Sequence, residues 1–138
     1  MTRNLRMTEE QLLAQQMRQH DEASKATVAA RFNKPLEADV QRAVLAYLGL
    51  HPKVAMVWRS NTGTLPVGER YVSFGFKGCS DLIGMLTDGR FLAVEVKREG
   101  KEPTDEQRNF LKNVLDNKGV ALWCDSLDSC IRQLELQL

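Results

Sequence analysis

Glu95 and Lys97 lie in "LAVEVKREG" (residues 92–100), a stretch that otherwise reads as a core strand through Leu92, Ala93, Val94 and Val96. In a strand, positions i and i+2 share a face. Glu95 and Lys97 therefore point one way, flanked only by Ala93, while Val94 and Val96 point the other way into a core under a helix. Asp81 opens the preceding strand, "DLIGMLT" (81–87), and Asp88-Gly89 is a strong two-residue hairpin turn between the two. If that turn pairs Thr87 with Arg90, Asp81 falls near Val96. One residue of bulge or slip would bring its carboxylate beside Glu95 and Lys97. Two carboxylates at that range repel unless a cation lies between them. A hard divalent ion with oxygen ligands, magnesium or manganese, resolves the repulsion. The adjacent lysine can then act on an attacking water, or hold the charge that builds on a phosphate in the transition state. Taken alone, an ExK pair is more often a surface ion pair worth ~0–1 kcal/mol. Asp81 on the partner strand is what turns the reading towards chemistry.

The elements that must position these residues follow from periodicity and turn chemistry. Residues 8 to about 32 read as a helix opened by a Thr8–Gln11 capping box. Its apolar stripe is thin (Leu12, Leu13, Met17), which suits a helix that packs on the body or on a second subunit. Pro35 marks a boundary, giving an amino-terminal helical extension over 1–34 and a domain over 35–138. "LEADVQRAVLAYLGL" is helical through Leu36, Val40, Val44 and Tyr47/Leu48, with Gly49 as its stop. "VAMVWR" (54–59) is a strand, residues 60 to 70 form a loop, and "YVSFGF" (71–76) holds a short extended piece. Strands 81–87 and 90–97 follow. A helix opens at Thr104 and buries Phe110, Leu111, Val114 and Leu115. "VALWC" (120–124) is a buried strand, and a last helix runs through Ile131 and Leu134. The step from 90 to 124 is long enough for a right-handed crossover between parallel strands. The expectation is a mixed α/β sheet: an antiparallel hairpin plus one parallel neighbour.

Composition narrows the function. The chain has 138 residues, 43% apolar and 27% charged, with a net charge of +1. Any nucleic-acid site must come from local charge. Lys53, Arg59, Arg70 and Lys77 fall where Glu69 is the sole acid before Asp81, and the region after Lys101 is acidic. Three cysteines, Cys79, Cys124 and Cys130, without a CxxC argue against a disulfide framework and a structural zinc, and point to a reducing cytosol. Cys79 reads as a small filler and Cys124 as core. "MTRNLRMTEEQLLAQQ" lacks the apolar core of a signal peptide, and no run has the length of a membrane span. His20 and His51 have no partner pattern and are expected at the surface. "RSNTG" offers Arg59, Asn61, Thr62 and a flexible Gly63 as donors to phosphate oxygens, or is an ordinary polar turn. Lys77, Arg98 and Lys101 either track a DNA backbone or keep loops soluble.

The Asp81-x13-Glu95-x-Lys97 pattern resembles the PD-(D/E)xK nuclease superfamily. With "EADVQRAVLAYL", "WRSNTGT", "GFKGCSDLIGML", "FLAVEVKREGKEPTDEQRNFLKNV" and "KGVALWC", the chain from about Leu36 to Cys124 resembles the virus-type replication-repair nuclease (VRR-NUC) domain. The resemblance implies a restriction-endonuclease-like core: helix, three-stranded meander, helix, parallel fourth strand, helix. It implies Asp81 and Glu95 as metal ligands with the main-chain carbonyl of Val96, Lys97 as catalytic lysine, Glu37 completing the metal site directly or through water, and Gln107 orienting Lys97 or the water. Ser80 stands where the family usually has proline, and is expected to bond a phosphate or cap the strand. The implied activity is a magnesium- or manganese-dependent DNA endonuclease leaving a 5′-phosphate. Small members resemble Holliday-junction resolvases that act on branched DNA as homodimers, in the host cytoplasm if phage-encoded.

Simpler roles compete at two of these positions. Glu37 in a first helical turn is favoured by the helix dipole by ~0.3–1 kcal/mol. Gln107 in "TDEQ" is the third helical residue of a capping box with Thr104. Two other functions also stay open: a non-cutting DNA-binding module of the same fold, and an interaction protein docking through its amino-terminal helix. The first would have no use for two carboxylates facing a polyanion.

Overall fold

The computed structural model describes residues 8–32 and 35–138, with residues 26–32 described through their backbone alone. Residues 1–7, the start of the stretch expected to lack a leader, and residues 33–34, beside the expected boundary, lie outside the described residues. The chain divides into two units, one up to residue 34 and one over Pro35–Leu138. The first contains helix α1 (Glu9–Phe32). Its capping box forms as the sequence suggests: the Gln11 N–H donates to Thr8 Oγ1 at 3.2 Å, and the Thr8 N–H donates to Gln11 Oε1 at 3.0 Å.

The second unit runs α2 (Glu37–Leu50), β1 (Val54–Arg59), β2 (Gly63–Val67), β3 (Arg70–Phe74), β4 (Leu82–Leu86), β5 (Phe91–Val96), α3 (Asp105–Asp116), β6 (Val120–Cys124) and α4 (Leu127–Glu135). Four strands form one sheet in the order β1-β4-β5-β6. The first two pairings are antiparallel and β5–β6 is parallel, so the sheet is mixed as expected. Helices cover both faces. On one, Val40, Val44 and Leu48 of α2 and Cys130 and Leu134 of α4 pack on Leu82, Leu92, Val94, Val96 and Leu122. On the other, Leu111 and Val114 of α3 pack on Ile83, Ala93 and Ala121. The face of β5 that carries Glu95 is thus roofed by a helix. Among the described residues, no helix is long and apolar enough to cross a membrane.

Two turns differ from expectation. The segment 60–70, read as a loop, instead contributes strand β2 and the start of β3, which pair as a separate two-stranded hairpin. Val67 faces Arg70 across a two-residue turn, with Gly68 at φ 61°. Glycine at the first central position suits such a turn. Pro66 masked the strand, because a missing N–H is tolerated in an edge position.

The second difference fixes the site. The β4–β5 connection is not the two-residue Asp88-Gly89 turn but a three-residue loop, Thr87-Asp88-Gly89. The Leu86 N–H donates to the Arg90 carbonyl at 2.9 Å, and the Gly89 N–H to the Leu86 carbonyl at 2.9 Å. Gly89 has φ 89°, as the last residue of a three-residue hairpin loop requires. The extra loop residue supplies the one-residue slip. Leu82 now faces Val94, and the next step of that register sets Asp81 opposite Glu95.

His51 also departs from expectation. Its side chain is only 10% exposed, edge-on to Tyr47 at 5.6 Å, with Nδ1 accepting the Lys53 N–H at 3.1 Å. Cys124 is buried, as its apolar strand suggested.

If Gly89 sets this register, Gly89→Ala will lower stability in urea unfolding by about 1–2 kcal/mol, the cost of an L side chain in the left-handed region. Gly89→Asn will recover part of that loss, since asparagine tolerates this region.

Candidate active site

Four elements converge at the carboxyl end of β5. Strand β5 brings Glu95 and then Lys97, the start of β4 brings Asp81, and the first turns of α2 and α3 bring Glu37 and Gln107. Glu95 is fully buried. Its Oε1 accepts from Lys97 Nζ at 2.8 Å and from Gln107 Nε2 at 2.6 Å. Its Oε2 is buried without a hydrogen-bond partner. An unpartnered buried acceptor costs about 1–3 kcal/mol, more when charged, so this oxygen calls for a proton or a cation.

Asp81 is half-buried, and its Oδ2 accepts the Val96 N–H at 2.8 Å. That bond continues the β4–β5 ladder through a side chain and holds the carboxylate at the strand end. The Asp81 carbonyl accepts the Ser60 N–H at 2.8 Å, which ties the segment after β1 to the same corner. In an extended strand a residue's N–H and C=O share an edge, so the Val96 carbonyl lies on the Asp81 side.

Electrostatics follow from this crowding. Burial, then the charge of Asp81 and a hydrogen bond shared between the two carboxyls, raise Glu95 from 4.5 to about 7 against the opposing pull of Lys97. Burial works against the Lys97 ammonium, but Glu95, Glu37 and Asp81 outweigh it and hold Lys97 above the ordinary lysine value. Lys97 therefore keeps its charge at neutral pH.

Glu37 and Gln107 each do two things. Glu37 lies in the first turn of α2, where the dipole favours it, and its Oε2 also accepts the Arg98 N–H at 3.2 Å. Gln107 completes the capping box: its Oε1 accepts the Thr104 N–H at 2.9 Å, and its N–H donates to Thr104 Oγ1 at 3.3 Å. With the amide oxygen committed to the cap, the nitrogen must face Glu95. The cap and the site are one arrangement.

The residues expected to meet DNA separate into groups. Thr62, Gly63 and Lys77 line one concavity at the base of the β2–β3 hairpin. Arg59 and Asn61 are exposed beside it, and Arg98 and Lys101 lie on the turn after β5, where the Lys101 N–H donates to the Arg98 carbonyl at 2.9 Å. Ser80, expected to bond a phosphate or cap the strand, is fully buried, and its hydroxyl has no partner within the protein. Thr64, Ser73 and Phe74 share the concavity; the Gly68-Glu69 turn between two short runs is the signal that points to the hairpin.

Among the described residues, no three His, Cys, Asp or Glu side chains gather where they could hold a metal. Asp81 and Glu95 are the pair that could do so, with the open Oε2 as the free donor. Two carboxylates, with the remaining positions left to water and substrate phosphate, is a donor set that suits magnesium.

A mixed α/β layer with two carboxylates and a charged lysine at a strand end is a nuclease-like arrangement. The description "VRR-NUC domain" matches residues 7–127, most of the chain. The chain belongs to the VRR-NUC family, whose nucleases are of the PD-(D/E)xK kind, with DNA as substrate and divalent metals as the usual cofactors. The match begins within the stretch that precedes Pro35. No curated protein and no solved structure matches the chain.

The raised Glu95 value predicts a pH effect on the metal-free protein. The folded form holds this proton between about 4.5 and 7, where the unfolded chain has released it. The group's favourable contribution is complete below about 4.5 and is lost as pH rises through about 7. At pH 8 without divalent ions, Glu95→Gln will therefore be more stable than wild type, by on the order of 1–3 kcal/mol. At pH 4 the two will be alike. Urea unfolding at both pH values measures the difference.

Proposed function

We propose that the chain is a divalent-metal-dependent DNA endonuclease, selective for branched DNA and acting as a homodimer. The observation that carries the reading is the unpartnered buried oxygen of Glu95, on a carboxylate set opposite Asp81 and held by Lys97 at 2.8 Å. Asp81 and Glu95 would hold a magnesium or manganese ion, joined by the Val96 carbonyl and by Glu37 through water. Bound there, the ion would supply Lewis acidity to the scissile phosphate and lower the pKa of the attacking water.

The chain's own residues carry the remaining tasks. Lys97, kept charged by three carboxylates, offsets the negative charge that builds on the phosphorus oxygens as water attacks in line. Gln107 fixes the Glu95 carboxylate. The bond from phosphorus to the 3′ oxygen breaks, that oxygen takes up a proton, and the phosphate stays on the 5′ side. Arg59, Asn61, Thr62, Gly63, Lys77, Arg98 and Lys101 would hold the DNA backbone. A catalytic domain over 35–138 with an amino-terminal extension, residing in the cytoplasm, fits this reading. A dimer would place one such centre on each strand of a junction.

The test is cleavage of a four-way junction and a matched linear duplex, with magnesium or with chelator. Cutting should require the metal and favour the junction with paired nicks. Asp81→Asn and Lys97→Ala should each lower the rate by about 10²–10³-fold or more while DNA binding persists. Magnesium should raise the melting temperature of the wild type and not of Asp81→Asn. Inertness on both substrates in both conditions would end the reading.

Cap and site can also be separated. Thr104→Ala should lose about 1 kcal/mol of stability and keep cleavage. Gln107→Ala should lose both, as compared by urea unfolding and single-turnover rates.

A further inference from the structure

The concavity at the base of the β2–β3 hairpin has a volume of about 330 Å³. It combines one aromatic ring, Phe74, with the hydroxyls of Thr62, Thr64 and Ser73 and the ammonium of Lys77, and no acid lines it. Thr64 Oγ1 and Ser73 Oγ lie 3.3 Å apart, which leaves each with hydrogen-bonding capacity to spare. Lys77 is 88% exposed and only loosely paired with Glu106, at 3.7 Å.

The position of the ring depends on Gly63, which faces Phe74 across the two strands. A Cβ on Gly63 would come within 2.8 Å of the ring. The ring therefore lies against strand β2, and still 42% of Phe74 is exposed. The walls are rigid where they meet the body. Gly75 and Gly78 have φ 77° and 80°, and a Cβ on either would strike backbone, of Asn61 and of Glu106 respectively. Gly78 is three residues from Asp81, a reach of at most about 11 Å, or the rise of about three stacked bases.

We propose that this concavity holds one unstacked nucleotide of the DNA strand close to the scissile phosphate, its base on Phe74 and its phosphate towards Lys77. An exposed aromatic ring with a cation beside it is the chemistry that receives an unpaired base of any sequence. A fully paired duplex keeps its bases stacked and cannot fill it. A nick, flap or junction offers such a nucleotide without the cost of unstacking. The site would thus supply the selectivity for branched DNA. The inference rests on the nuclease reading for the presence of DNA, and its test does not depend on cleavage.

The full chain in chelator is titrated by fluorescence anisotropy with two DNAs of equal length, one a blunt duplex and one with an unpaired nucleotide at an internal branch. The branched DNA should bind about tenfold more tightly, and Phe74→Leu should reduce the ratio to about one. A 2-aminopurine at the unpaired position should change its fluorescence on binding wild type and not on binding Phe74→Leu. Gly63→Ala, which pushes the ring into the space, should act like Phe74→Leu and serves if that variant does not fold. Equal binding of the two DNAs by wild type, or an unchanged ratio in the folded variants, overturns the proposal. A tenfold ratio without any cleavage in magnesium would leave the pocket standing and remove the nuclease reading. Cleavage with no binding preference would do the reverse.

Discussion

A buried carboxylate at the end of β5 is the constraint on which the site depends. Glu95 lies between the sheet and α3, where water cannot hydrate a charge, and burial alone pushes its proton affinity upward. One of its oxygens is saturated by Lys97 and Gln107, and the other has no partner. Such an asymmetry is costly in a structural ion pair, where the spare oxygen would be satisfied or exposed. It makes sense where the open oxygen is reserved for a positive ligand. The neighbouring Asp81 increases the same need rather than relieving it.

Two local devices hold this arrangement, and both belong to folding as much as to chemistry. The three-residue loop at Thr87-Asp88-Gly89 shifts the β4–β5 register by one position compared with a two-residue turn. In a strand that step decides which face a side chain occupies and which residue it opposes. Without it, Asp81 would oppose Val96 instead of Glu95. The capping box at Thr104 orients the Gln107 amide, because the oxygen is used on the cap and leaves the nitrogen for Glu95. Helix initiation and carboxylate alignment are therefore coupled through one side chain.

Much of this was legible in the sequence. The alternation in "LAVEVK" placed Glu95 and Lys97 on one face, and the apolar runs at 82–86, 92–96 and 120–124 located the central strands. The mixed order followed from the crossover length. What remained hidden depended on turns and on burial. "TDG" reads equally as a two- or a three-residue loop, and the three-residue form buries Leu82 and Val94 together in the core on the α2 side. The hairpin at 63–74 was masked by Pro66 and by its polar flanks. Ser80 looks exposed by type and is fully buried just before Asp81. Glu37 and Gln107 each stand in a first helical turn and also bond a residue at the end of β5 or just after it, so the helix-end position does not exclude the other.

The two sides of the site are held by different kinds of order. The carboxylates stand on β4 and β5, backed by cores on both faces of the sheet, so their geometry moves only if the fold does. The concavity beside the site stands at the base of the β2–β3 hairpin, whose strands are exposed almost throughout. A lone two-stranded hairpin is marginal in water. Its base is steadied instead by glycines that let backbone meet backbone, Gly75 against Asn61 and Gly78 against Glu106. The tip has no comparable support. A rigid chemical centre flanked by a more pliable recognition element can accept DNA of varied shape while the attacking geometry stays fixed.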